Sequence, residues 1–413
     1  MVTAVFVAPY LLEATERFVT GATHLPDVRV GIVTHEPADR LPPHLRERLV
    51  AHWRVDDALD PSQLEAAVRG LAGQLGGVDR LVGILEQLQV PLAQVRESLG
   101  ISGMDVATAR NFRDKSRMKQ VLREAGVPCA RHRLVRSADE ATRFVDDVGF
   151  PVVVKPPAGA GARDTFRLDG PDALRGWLAV QAPSGDAPAL LEEFVVGDEH
   201  SFDSVTVDGN VVWRSISHYL PTPLEVLRNP WMQWAVLLPR ELDADTYGGI
   251  DAAGPAAVRA LGHRRGLTHL EWFRRGDGSV AVSEVAARPP GAQLSAAIAY
   301  AHDVDLHRAW AGIEILDRFE PPERRWAVGT VYLRGQHPAG SAPPGSRVVA
   351  VHGIDALQAE LGHLVAEARV PTPGQPAGDG YEGEGWVIVR DHDTGVVVDA
   401  VKRILGGLRV ELG

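Results

Sequence analysis

Over residues 1 to about 105, short continuous apolar runs alternate with stretches of helical spacing. Residues 3–8, 28–33 and 81–85 read as strands, and 61–75 and 91–99 as helices, an alternation that predicts a parallel α/β sheet. A helical pattern over 109–126 stops at Gly126 ahead of Val127-Pro128, with Asp114 placed to cap it and Lys115 in the first turn, a location that suits an anion. Residues 131–135 follow as a strand and 138–148 as a helix capped by Ser137. Residues 151–155 form a strand that ends at Lys155 and runs into a glycine-rich stretch, 156–165. Strands are expected at 189–195, 199–207 and 211–218, the last two joined by Asp208-Gly209-Asn210; 221–240 reads as irregular, and 254–266 and 294–309 as helical. The final section has a strand at 328–333, a Pro/Gly-rich connection at 371–385, a strand at 386–390 and a helix at 396–405. This is an α/β and α+β multidomain pattern without an internal repeat.

The stretch 267–293, LTHLEWFRRGDGSVAVSEVAARPPGAQ, carries the most chemistry. It reads as a hairpin turning at Gly276-Asp277. With Arg275 paired to Gly278, Glu271 faces Val282, and Glu284 falls on the same face about 7–8 Å away diagonally. Arg288 keeps that parity. Both strands have apolar residues on each face, so the hairpin should be covered on both sides. Two buried carboxylates on one covered face favour a divalent cation with all-oxygen ligands. A surface hairpin with solvated acids is the competing reading.

Composition narrows the classes. The 413-residue chain is 45% hydrophobic and 23% charged, ordinary for a globular enzyme of several domains. A net charge of −11 argues against nucleic acid as a partner. The single cysteine, Cys129, excludes an internal disulfide framework, and the absence of a basic start or a long apolar run leads us to expect a cytoplasmic chain off the membrane. Among 43 basic residues only Lys115, Lys119, Lys155 and Lys402 are lysines. Where arginine is the default cation, a lysine suggests a compact point charge for phosphate. A solvated basic face is the plainer reading, more so for Lys119 than for Lys115, and Lys402 reads as a surface residue. Glu86, just after a strand, reads as a solvated helix start in preference to a crevice residue. No G-x-G-x-x-G follows any N-terminal strand, and 156–165 is not a P-loop because no G-K-[ST] follows.

Taken together, these pieces resemble the ATP-grasp superfamily and, within it, carboxylate-amine ligases of the L-amino-acid ligase type. The resemblance rests on Asp114-Lys115-Ser116-Arg117-Met118-Lys119, on the strand from Pro151 to Lys155 with its glycine-rich loop, and on Glu284-Val285-Ala286-Ala287-Arg288; it covers roughly residues 111–316. It implies an N-terminal parallel α/β (pre-ATP-grasp) domain over 1–105 and an ATP-grasp N-lobe over 106–188. A C-lobe with a Mg²⁺ site (189–325) and a C-terminal subdomain (326–413) follow.

By the same resemblance, Lys115 and Lys155 meet the phosphates of ATP, and Glu192, Glu193, Phe194 and Val195 form the hinge at the adenine edge. Glu199 takes the ribose hydroxyls, Glu271 and Glu284 hold Mg²⁺ (Mn²⁺ able to substitute), and Arg288 orients the acyl-phosphate, with Lys155 beside it in catalysis. His218, His269 and Trp231 are weaker expectations for substrate contact. One position departs from the family's E-x-N-x-R: Ala286 stands where the asparagine would ligate, as in the amino-acid ligase branch. The activity implied joins a small-molecule carboxylate to an amine through an acyl-phosphate, with a homodimer among the assemblies allowed. Two alternatives stand beside it: an inactive ATP-binding regulatory protein, and a biotin-carboxylase-like or purine-pathway enzyme.

Overall fold

The computed structural model describes residues 1–159, 164–337, 340, 342–378 and 380–413. The N-terminal alternation becomes a four-stranded parallel sheet in the order Ala51–Arg54, Val28–Thr34, Val2–Val7, Arg80–Val82. Helix Pro61–Leu75 buries Leu64, Val68 and Leu71 against one face. It starts where Asp60 accepts from the Ser62 amide and ends at Gly76 in the left-handed region, a cap and stop together worth about 1 kcal/mol or more. The other face is covered by helices Glu13–Thr23 and Leu306–Leu316. Trp310 of the latter packs edge-on to Phe6 and Phe18, at ring separations of 5.7 and 5.1 Å. These two helices touch so closely that a Cβ on Gly21 would come within 2.7 Å of the His307 backbone.

A small antiparallel sheet follows, ordered His132–Val135, Ala189–Glu193, Val152–Lys155, Phe166–Leu168. Its strand Ala189–Glu193 lies beyond the division expected at 188. The largest layer is an eight-stranded antiparallel sheet: Val280–Ala286, Gly266–Arg274, Asp198–Val207, Asn210–Leu220, Trp234–Leu238, Ala327–Leu333, Gly385–Asp391, Val365–Arg369. Three of those strands come from the C-terminal section, which therefore completes the central sheet.

Several expectations need correction. The helix expected over 109–126 is two, Val106–Arg113 and Lys115–Glu124, because Asp114 leaves the helical backbone and its carboxylate accepts from the amides of Ser116 and Arg117. The irregular stretch 221–240 contains helix Pro223–Arg228 and the fully buried strand Trp234–Leu238. Ladder partners on both sides fix that strand, and its short apolar run does not announce them. The helix expected at 254–266 is Ala244–Ala260. Gly254 lies inside it because Phe202 passes there, within 2.8 Å of where a Cβ would sit. The stretch 294–309 is again two helices, Leu294–His302 and Leu306–Leu316, broken at Asp303 in the left-handed region and restarted by the Asp305 cap. Among the described residues no helix is long and apolar enough to cross a membrane.

Candidate active site

Between the small sheet and one face of the large sheet lies a cavity of about 640 Å³. The hairpin Gly266–Arg274/Val280–Ala286 supplies its acids. Glu271 and Glu284 are direct cross-strand partners, not diagonal ones, and both line the cavity. Two departures from the expected register combine to bring this about. The turn holds Gly276, Asp277 and Gly278, with Gly278 at φ 82° and Arg275 bonded to Ser279, which shifts the pairing by one residue. A shift of one alone would turn Glu284 to the opposite face. A bulge between Val282 and Glu284 adds a second shift and returns it to the face of Glu271.

Three of the four lysines converge here. Lys115 is 6% exposed, donates to the Glu284 carboxylate, and also donates to the Gly159 carbonyl at 3.2 Å. Lys155 lies 2.9 Å and Lys119 3.2 Å from the Glu192 carboxylate. Lys119, read as a solvated surface residue, has no exposed surface at all; it lies on the inner face of helix Lys115–Glu124. Lys402 is exposed beside Asp399. The start of the glycine-rich stretch is tied to the same helix by a bond from the Lys115 amide to the Pro157 carbonyl, 2.8 Å. Residues 160–163 of that stretch lie outside the described residues.

Charge pairing sets the protonation of the cleft. Burial would raise the Glu284 carboxyl, but Lys115 and then Lys155 outweigh it and hold it at about 2. Burial likewise pushes the Glu192 carboxyl up, but Lys119 and Lys155 overcome that push, and it stays below the usual range. Burial and the neighbouring Glu271 carry Glu199 well above the ordinary carboxyl value. His269 lines the cavity with Nδ1 2.7 Å from Asp203 and Nε2 3.7 Å from Glu271; burial opposes its charge, but Asp203 prevails and raises it to about 9. Arg288 also lines the cavity. Its Nε donates to Glu86 at 2.8 Å, and Glu86, 6% exposed, is no solvated helix start.

Glu192, Glu193, Phe194, Val195 and Glu199 all line the cavity, with 194–197 connecting the small sheet to the large one. Arg167 stacks over Phe194 at 4.1 Å, and Glu193 is held by Arg131 at 2.5 Å. Two of the expected residues lie off this cavity. His218 does not line the cavity: it points to the other face of its strand, 2.8 Å from the Tyr247 hydroxyl and ring-to-ring with His200. Trp231 is 44% exposed and also lies off the cavity wall. The strand alternation that turns His218 away turns Tyr219 in. Tyr219, Trp234, Tyr381 and the start of helix Pro223–Arg228 also line the cavity, and the sequence reading missed them. The alternation would have exposed Tyr219 had the face of that strand been known.

Among the described residues no group of three or more His, Cys, Asp or Glu could hold a metal alone. The facing Glu271 and Glu284 carboxylates are an all-oxygen donor pair, which suits a hard divalent cation whose remaining ligands are phosphate oxygens or water. Ala286 pairs with His269 across the ladder and adds no donor.

Lysines stand over a strand-borne carboxylate pair at the junction of a small and a large antiparallel sheet, and solved structures that superpose on nearly the whole chain show this to be an ATP-grasp fold. Residues 114–200 match the family described as carbamoyl-phosphate synthase L chain, ATP binding domain. Among curated relatives, the L-arginine-specific L-amino acid ligase of Bacillus subtilis is 24% identical over 277 residues, 65% of this chain and 66% of that one. The curated relatives are matched over about half to two thirds of their own length. The L-amino acid ligase of Bacillus licheniformis superposes with a TM-score of 0.74 at 16% identity, covering 99% of this chain and 98% of that one. The N5-carboxyaminoimidazole ribonucleotide synthetase of Thermotoga maritima gives 0.71 at 18% identity, covering 100% and 99%.

Proposed function

We propose that the protein is an ATP-dependent carboxylate–amine ligase that forms an amide or peptide bond. The observation that carries this reading is the convergence of Lys115, Lys155 and Arg288 with Glu271 and Glu284 on one cavity. A carboxylate oxygen of the first substrate attacks the γ-phosphorus, and ADP leaves. The amine nitrogen then attacks the acyl carbon, phosphate departs, and the amine gives up a proton. Lys115 and Lys155 offset phosphate charge, Glu199 receives the ribose hydroxyls, and residues 192–195 meet the adenine edge. Arg288, steadied by Glu86, orients the carboxylate and the developing oxyanion; the chemistry is positioning and charge stabilisation without a covalent enzyme intermediate. Mg²⁺, or Mn²⁺ in its place, held by Glu271 and Glu284, would neutralise charge between the β- and γ-phosphates. With this reading go division of the chain near residues 105, 188 and 325, a cytoplasmic location and a homodimer.

The test is phosphate release from Mg-ATP over a panel of amino-acid pairs and small carboxylic acids. Glu284→Ala is expected to lower ADP formation by about 10³-fold, the scale of losing a transition-state charge stabiliser. Full turnover by that variant overturns the assignment. Ala286 in place of a ligating residue favours a second reading, a nucleotide-binding regulator without turnover, which ATP binding with no ADP release across the panel would establish. Bicarbonate-dependent ADP release without an amine would instead point to a carboxylating enzyme.

A further inference from the structure

A second cavity, of about 390 Å³, lies where the N-terminal parallel sheet meets the large sheet and helix Leu306–Leu316. Its size is at the lower end for small-molecule sites, roughly 300–1,000 Å³. Arg96, 7% exposed, lines it, with Nε and Nη2 both donating to the Leu81 carbonyl at 2.9 and 2.7 Å. Its Nη1 is uncommitted among the described residues. Glu314 lines the same cavity, and the nearby acid Asp317 is taken by Arg80 and Arg265. Arg96 and Glu314 therefore face a shared space without closing an ion pair across it. His263, 5% exposed, lines the cavity too; neither ring nitrogen makes a well-formed hydrogen bond, the Gly266 backbone holding the ring only weakly. Buried polar atoms left this way are costly unless something in the cavity meets them. Trp310 adds an apolar wall.

We propose that this cavity is a second small-molecule site for a free α-amino acid, its carboxylate on Arg96, its ammonium on Glu314 and a polar atom within reach of His263. The wall carries both signs of charge, five arginines and four acids among the described residues, and a zwitterion is the small ligand that uses both. Arg288 lines both cavities, so occupancy of this one bears on the arginine of the ATP cleft. The proposal does not rest on the ligase reading.

Calorimetric titration of the full chain without nucleotide, using glycine, L-alanine and L-leucine against acetate and methylamine, tests it. The expected result is binding of amino acids and not of the single-charge probes, weakened at least tenfold by Glu314→Gln and unchanged by Glu284→Ala. Mapped phenylglyoxal modification of Arg96 in the unaltered chain, blocked by L-alanine and not by acetate, gives the same answer should Glu314→Gln fold poorly. No amino-acid binding at millimolar concentration, binding indifferent to Glu314→Gln in a folded chain, or binding of inorganic phosphate alone overturns the proposal. Amino-acid binding here with no ADP release on any panel would leave it standing and dispose of the ligase reading.

Discussion

Lys119 and Lys155 approach one carboxylate, Glu192, from two elements, and Lys119 does so with no exposed surface. Burial lowers the Lys119 ammonium from its usual value, and Glu192 offsets only part of that cost. Its role is to share Glu192, so that Lys155 is not wholly spent there. Lys119→Met keeps the volume and removes the sharing. The expected outcome in steady-state kinetics is a KM for ATP raised about tenfold, or about 1.4 kcal/mol, with a smaller change in kcat. Glu86 does the corresponding work for Arg288 through one charge-assisted bond of 2.8 Å. Such a bond is worth about 1.5–3 kcal/mol, so Glu86→Gln should lower kcat/KM for the carboxylate substrate about tenfold or more while leaving nucleotide affinity unchanged by titration. The scarcity of lysine made Lys115 and Lys155 legible in the sequence. Lys119 and Glu86 were not, because a charged residue on a helix or after a strand looks solvated until the opposing surface is known.

The hairpin shows both the reach and the limit of pattern at the level of elements. Alternation placed Glu271 and Glu284 on one face, and the structure agrees, but by a longer turn and a compensating bulge that no period of two contains. The helix expected over 109–126 had its cap correctly placed at Asp114, yet the cap also divides it, since a residue that leaves the helix to bind two amides ends the preceding turn. Asp114→Ala should cost about 1 kcal/mol, seen as a lower midpoint in urea. It should also raise the KM for ATP, because Lys115 begins the helix that the cap secures. The strands Trp234–Leu238 and Val365–Arg369 escaped notice for a different reason: each is fixed by ladder partners elsewhere in the chain, which a short run does not announce.

At the level of the whole molecule, three histidines buried in separate places share one property. Burial pushes His218 and His302 down to about 3 and His263 to about 4. Below pH about 6.5 the unfolded chain takes up protons that the folded chain refuses, so their contribution is complete above that pH and is lost as pH falls towards 4 and 3. Each accounts for up to about 2 kcal/mol between pH 6.5 and 5; urea unfolding at pH 7.5 and pH 5 should show a clear loss of stability at the lower value, and equal midpoints would contradict it. The chain's charge of −11 gives a polyanion no long-range welcome, and within the cleft Lys115 rests on Glu284, Lys155 on Glu192 and Arg288 on Glu86. A bare triphosphate could claim those cations only by stranding the acids that hold them. One that travels with its own counter-ion brings a replacement for Lys115 at Glu284, so that internal pair itself bears on which ionic form of the nucleotide is accepted.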